Sequence, residues 1–145
     1  MLYFTSFLQR LLTPGAGTLG TAPNLIYAQL VDTNVDALTA ADSTLADVAV
    51  NARVGSPVLL TGVTITNGVL DANDVLFTGV GTALTLPDAR GLLLYTGASG
   101  APDASMSLMV LFQAADIPGL PAIDLNNSTI SIVWNASGVL RIVGA

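Results

Sequence analysis

Apolar and polar residues alternate with a period of two along much of this chain, the pattern of strands that bury one face. In residues 24–31 (NLIYAQLV), Leu25, Tyr27 and Gln29 fall on one side and Ile26, Ala28 and Leu30 on the other. In residues 54–66, Val63 and Ile65 point one way and Thr64 and Thr66 the other, and Pro57 suits the start of a strand or an edge position. Residues 75–80 (VLFTGV) and 83–86 (ALTL) read as two further strands. In residues 128–143 (STISIVWNASGVLRIV), Ile130, Ile132 and Trp134 share a face, and Leu140 and Ile142 share a face after the turn at 135–138. This last segment predicts a hairpin. Asn67-Gly68 marks another turn, with 69–70 briefly extended, and DAND at 71–74 is a tight turn. Residues 37–50 predict a loop with one helical turn through 45–48, capped by Ser43 or Asp42. Residues 116–127, with two prolines, predict a loop.

One stretch breaks the alternation. Residues 91–96 (GLLLYT) and 106–113 (MSLMVLFQ) flank a tip, GASGAPDAS, made of turn-forming residues. Met106, Leu108, Val110 and Phe112 fall on one face of the second strand, yet Met109 and Leu111 on the opposite face are apolar as well. A strand facing water on one side alternates; this one is predicted to be covered on both. The cover is either a second layer of the same domain or another subunit, and Met109 and Leu111 are the candidate interface residues for the second case.

Residues 1–12 (MLYFTSFLQRLL) show helical spacing, with Tyr3, Phe4, Phe7, Leu8 and Leu11 on one face and Pro14-Gly15 as the stop. A helix of a dozen residues is marginal alone, so its apolar face must dock, on its own domain or on a neighbour. Residues 13–23 (TPGAGTLGTAP) read as a linker that spans about 35 Å when extended. The reading is therefore an arm and linker over 1–23 and a body over 24–145. The arm is expected to dock on a neighbouring subunit, and its deletion to leave a folded body. It is not read as a secretory signal, because its one charge, Arg10, follows the apolar residues rather than preceding them. It also lacks the basic polar face of a membrane-surface helix.

Frequent turns between eight or nine short strands predict an all-β fold, an antiparallel β-sandwich or small barrel with an N-terminal arm. Composition sharpens this. Apolar residues make up 52% of the 145 residues and charged ones 10%, against about 25% charged in an ordinary soluble domain. No apolar run approaches the roughly 18 to 20 residues of a membrane-spanning helix. A small domain with so much apolar side chain is expected to hide part of it in contacts with other subunits, as a homo-oligomer.

The charges exclude several functions. All ten acids are Asp, and the four basic residues, Arg10, Arg53, Arg90 and Arg141, are scattered. A net charge of −6 without a basic stripe predicts no nucleic-acid binding. Without His, Cys or Lys, most nucleophile–base pairs are ruled out. An Asp pair can serve glycoside hydrolysis, but all ten Asp lie in or beside turns, where Asp is an ordinary turn residue. The chain is read as no enzyme, with no cofactor and no metal. Asp71, Asn73 and Asp74 offer oxygen ligands but lack the spacing and closing Glu of a calcium loop, and read as a turn closing a hairpin. Trp134 and Tyr95 are candidates for a sugar-stacking platform, with core packing the plainer role for Trp134 beside Ile130 and Ile132. The Gly-rich tip at 97–100 lacks the Lys of a phosphate loop.

The order of these pieces, IYAQLVD, then VLLTGVTITNGVLDANDVLFTGV, then GLLLYTG with its tip, then TISIVWNASGVLRIV, resembles a group of small virion proteins of tailed bacteriophages, often encoded among head genes. The resemblance covers roughly residues 24–143, and its most specific parts are TGVTITNGVLDANDVLFT and the W-N-A-S-G-V turn. It implies a structural protein of the capsid decoration or cement type, made in the host cytoplasm and placed on the phage head surface. Its partners would be the major capsid protein and copies of itself. A neck, tail or fibre-attachment protein, or a carbohydrate-binding surface module, are the alternative readings.

Overall fold

Leu92, Leu93 and Leu94 follow one another in a strand, and a strand can carry three large apolar side chains in succession only if both of its faces are covered. The computed structural model describes residues 1–12, 18–67, 69–78, 89–113, 116, 129–134 and 140–141. The strands are β1 (Leu2–Tyr3), β2 (Leu25–Val31), β3 (Arg53–Leu59), β4 (Thr64–Thr66), β5 (Val69–Asp71), β6 (Val75–Phe77), β7 (Gly91–Gly97), β8 (Ser107–Gln113), β9 (Ile130–Ile132) and β10 (Leu140–Arg141), with one helix, α1 (Thr5–Leu12). The predicted strand at 83–86 and nearly all of the predicted loop at 116–127 lie outside the described residues.

The fold is all-β and antiparallel. Its centre is a five-stranded sheet in the order β1-β8-β7-β2-β3. Two small sheets, β10-β5-β4 and β6-β9, accompany it. Ile26, Ala28, Leu30, Leu92, Leu94 and Phe112 of the central sheet pack with Leu70, Val75, Phe77, Ile130 and Ile132 of the small sheets, forming the core of a sandwich. β7 is buried along its whole length.

The second face of the central sheet is closed by the same chain. Val31, Leu93, Tyr95, Leu108 and Leu111 pack with Phe4, Leu38, Leu45 and Val48. The last three come from the segment predicted as a loop with one helical turn, which forms two 3-10 turns, Leu45–Asp47 and Val50–Ala52. The first is held by Asp47, whose Oδ2 accepts the N–H groups of Ser43 at 2.9 Å and Thr44 at 2.8 Å. These bonds, Ser43's first, hold the Asp47 carboxyl below its ordinary value.

Two expectations are corrected here. Met109 and Leu111 are fully buried within their own chain, so they are not interface residues. They also do not share a face. The register of β7 on β8 shifts between Leu94↔Val110 and Tyr95↔Leu108, leaving Met109 as the extra residue of a bulge. A bulge resets the period of two. Leu108 and Leu111 therefore join the second face, while Met109, Val110 and Phe112 join the sandwich core.

The N-terminal residues do not form a separate arm reaching a neighbour. β1 pairs with β8 through Leu2↔Leu111 and Tyr3↔Val110, and the Phe4 N–H donates to the bulge carbonyl of Met109 at 3.2 Å. Phe4 is buried on one face of the sheet and Phe7 on the other, so the segment wraps the β8 edge. Tyr3 packs against the sandwich core. Leu8 is exposed, and the side chain of Leu11 lies outside what the structure describes. The physical reason is supply: within the same chain, β8 offers an edge that β1 pairs and an apolar face on either side of it for Phe4 and Phe7.

The terminal hairpin is also corrected. β9 pairs with β6 through Val75↔Ile132 and Phe77↔Ile130, while β10 pairs with β5 through Leu140↔Leu70. The two strands enter different sheets, and the turn between them lies outside the described residues. Likewise the DAND turn joins β5 to β6 across sheets instead of closing a hairpin. The Asn67 turn does close one: Asn67 has φ 51° and joins β4 to β5.

Thr96 lies in β7 with no exposure, and its hydroxyl has no hydrogen-bond partner among the described residues. A buried hydroxyl left unpaired costs roughly 1–3 kcal/mol. Thr96→Val, which keeps the shape, should raise stability by about 1 kcal/mol. That would lift Tm by roughly 2–4 °C in a chain of this size; a lowered Tm in thermal denaturation would refute it.

Candidate functional site

Gln29 is the one polar side chain in an otherwise apolar β2 core stretch, and it is buried. Its reason is a defect in β3. The β2–β3 register runs from Ala28↔Val58 to Leu30↔Val54, so Gly55, Ser56 and Pro57 bulge out opposite Gln29. Gly55 takes φ +66°, which favours glycine. The freed carbonyls are satisfied by the Gln29 amide, whose Nε2 donates to the carbonyls of Val54 at 2.8 Å and Gly55 at 3.3 Å. β3 is the sheet edge, where Pro57 and a bulge are both tolerated.

The bulge opens a cleft of about 580 Å³ on the second face of the central sheet. Tyr27 and Tyr95 stand directly opposite each other on β2 and β7. Their rings stack at 5.4 Å between centroids and 15° between planes, a stabilising cross-strand pair. Tyr95 is almost fully buried, and burial, followed by the neighbouring Tyr27, pushes its phenol up to about 12, so it stays protonated at neutral pH. Arg53, from the start of β3, closes one wall. Its Nη1 donates to Asp103 Oδ2 at 2.7 Å, and its Nη2 donates to the carbonyls of Leu45 at 2.6 Å and Val48 at 2.8 Å. Ser56 on the bulge and Ser99 and Gly100 on the β7–β8 tip form the rim.

A second surface lies on the outer side of the β6–β9 sheet. Leu76 is 53% exposed and Val133 71% exposed, on the face of β6–β9 opposite its buried residues. Ile65 is 47% exposed for a different reason: it stands opposite the buried Leu70, on the core-facing side, but in the edge strand β4, all three of whose residues are exposed.

The structure separates the sequence-predicted candidates. Trp134 packs against Phe112 at 6.5 Å between ring centroids, on the sandwich side, while Tyr95 lies on the other face. They form no joint platform. The Trp134 indole N–H donates to the Asn73 carbonyl at 2.9 Å, and its backbone N–H donates to Asp74 Oδ1 at 3.0 Å, so the DAND turn anchors β9. Among the described residues no group of three or more His, Cys, Asp or Glu is placed to hold a metal. Sequence reasoning missed Tyr27, Gln29, Arg53 and Asp103 as one site. The available signals were a lone Gln in LIYAQLV and the Gly-Ser-Pro interruption of a strand.

No protein-family model and no curated protein matches this chain.

Proposed function

We propose that this chain is a structural protein of a tailed-phage particle, of the capsid decoration or cement type, which works by burying apolar surface and pairing strands rather than by catalysis. The observation that carries the reading is the outward presentation of Leu76 and Val133 by the β6–β9 side of the small-sheet layer. Both faces of the central sheet are covered within the chain; among the described residues the other exposed large apolar side chains, Met1, Leu8, Val35, Val50, Leu59 and Ile65, are scattered over other elements. Residues 61–78, the most specific part of the likeness to phage virion proteins, supply β4, β5 and β6 of the same layer. Since Phe4 and Phe7 are used internally, this outer surface takes the anchoring role expected of the N-terminal residues. Its partners in this reading are the major capsid protein and further copies of the chain.

Quantitative mass spectrometry of purified particles tests it. Decoration predicts copy numbers comparable to the major capsid protein. A dozen copies or fewer would move the chain to the neck or tail, and absence from particles would overturn the reading. The double variant Leu76→Ser, Val133→Ser should fold normally and lose binding to undecorated heads; undiminished binding would dismiss this surface.

A further inference from the structure

We propose that the cleft beside Tyr27 is a binding site for a neutral saccharide. Its volume, about 580 Å³, falls within the range of roughly 300–1,000 Å³ usual for small-molecule sites. The chemistry of its walls selects the ligand class. An anion finds no accessible uncommitted charge: both Nη atoms of Arg53 are spent on Asp103 and two backbone carbonyls, its remaining Nε is buried, and the chain carries a net −6. A metal ion would find one carboxylate, already paired with that guanidinium. A purely apolar ligand would cover Asp103, Ser56 and Ser99 and strip them of water without return. What remains is a neutral molecule with one apolar face and a fringe of hydroxyls.

The cleft offers the complement of each part. Tyr95 on β7 covers one face of the Tyr27 ring, and the strand order β7-β2-β3 turns the other face towards the bulge and the cleft. The axial C–H groups of a pyranose carry slight positive charge and suit the negative face of such a ring. Asp103 is fixed by its Oδ2 bond to Arg53, while its Oδ1 makes no hydrogen bond among the described residues and its side chain is 45% exposed. A carboxylate held in this way accepts hydroxyl donors without first having to be ordered. Ser56 and Ser99 at the rim can both donate and accept. The site is independent of any role in a phage particle.

The test is an NMR titration of the full chain with glucose, galactose, mannose, N-acetylglucosamine and their disaccharides, with sialic acid and inorganic phosphate as charged probes. The expected result is saturable shifts confined to β2, the β3 bulge and the 98–103 tip. Tyr27→Ala should weaken binding at least about tenfold, while Tyr27→Phe, which keeps the ring, should retain it. Ser99→Trp, an exposed rim substitution that fills the cleft without disturbing the core, should abolish it even if Tyr27→Ala fails to fold. Trp134→Ala should leave it intact. No saturable shift with any neutral sugar, binding of the charged probes alone, or shifts that survive Ser99→Trp would each overturn the proposal.

Discussion

Phe4→Ala should lower the unfolding free energy by about 3–5 kcal/mol, the usual cost of emptying a buried Phe site, and deletion of residues 1–12 should leave no folded body. A domain of this size has a total stability of about 5–15 kcal/mol, so the single substitution already removes a large share. The deletion removes more. It takes Phe4 from one face of the central sheet and Phe7 from the other, and it strips β1 from the edge of β8. It also removes the Phe4 N–H bond to the Met109 carbonyl and the Thr5 N–H bond to the Ala40 carbonyl at 3.0 Å. Leu8→Ala, at an exposed position of α1, should cost within about 0.5 kcal/mol and serves as the control. Urea denaturation followed by circular dichroism measures all three. A truncated chain that still unfolds cooperatively, within about 1 kcal/mol of the full chain, would show that these residues are an appendage after all.

This outcome is the reverse of what the helical spacing of the first twelve residues suggests, and the reason is general. Periodicity tells which side chains want burial. It does not tell what will bury them. The spacing of Tyr3, Phe4 and Phe7 is read correctly as apolar, yet the chain enters as a short strand, and Phe4 and Phe7 part to opposite sides of β8. The same limit applies to the central strands. Their burial on both faces is legible in GLLLYT and MSLMVLFQ, but the cover comes from residues 38–48, whose own pattern looks like loop. Bulges are a second limit. Nothing local in MSLMVLFQ announces that Met109 is the extra residue, yet that single insertion reassigns every later side chain of β8.

Long-range pairing is the third limit. The turn signal after Trp134 marks a reversal, but β9 finds Val75 and Phe77, and β10 finds Val69 and Leu70. Neither partner is encoded near the turn. The cleft was illegible for the same reason. Tyr27 and Tyr95 are distant in sequence and meet only because β2 and β7 are neighbours, and Arg53 reaches Asp103 across fifty positions. What local reading captured well was one-face alternation in strands that stay in register, and β9 is the clean case.

Ile132→Asp should abolish folding, at a cost of about 4 kcal/mol or more. Ile132 is 6% exposed and packs in the sandwich core with Val75, Phe77, Leu70 and Ile130. A carboxylate there loses its water and gains an apolar shell, so it must either stay charged and unsolvated or take up a proton, and both cost free energy. The β6–β9 sheet amplifies the effect. It has only two strands, and such a ribbon is marginal in water without a partner layer. Its attachment to the central sheet rests on the side chains at 75, 77, 130 and 132, which all face inward. Ser131→Asp provides the opposite case on the same strand. Ser131 is exposed between the two isoleucines, so its substitution should stay within about 0.5 kcal/mol of the parent. The pair reads the face directly, because a shift of one residue in register would exchange the two results. Expression of both variants with thermal denaturation decides it: a folded Ile132→Asp beside an unfolded Ser131→Asp would mean that β9 presents its other face to the core.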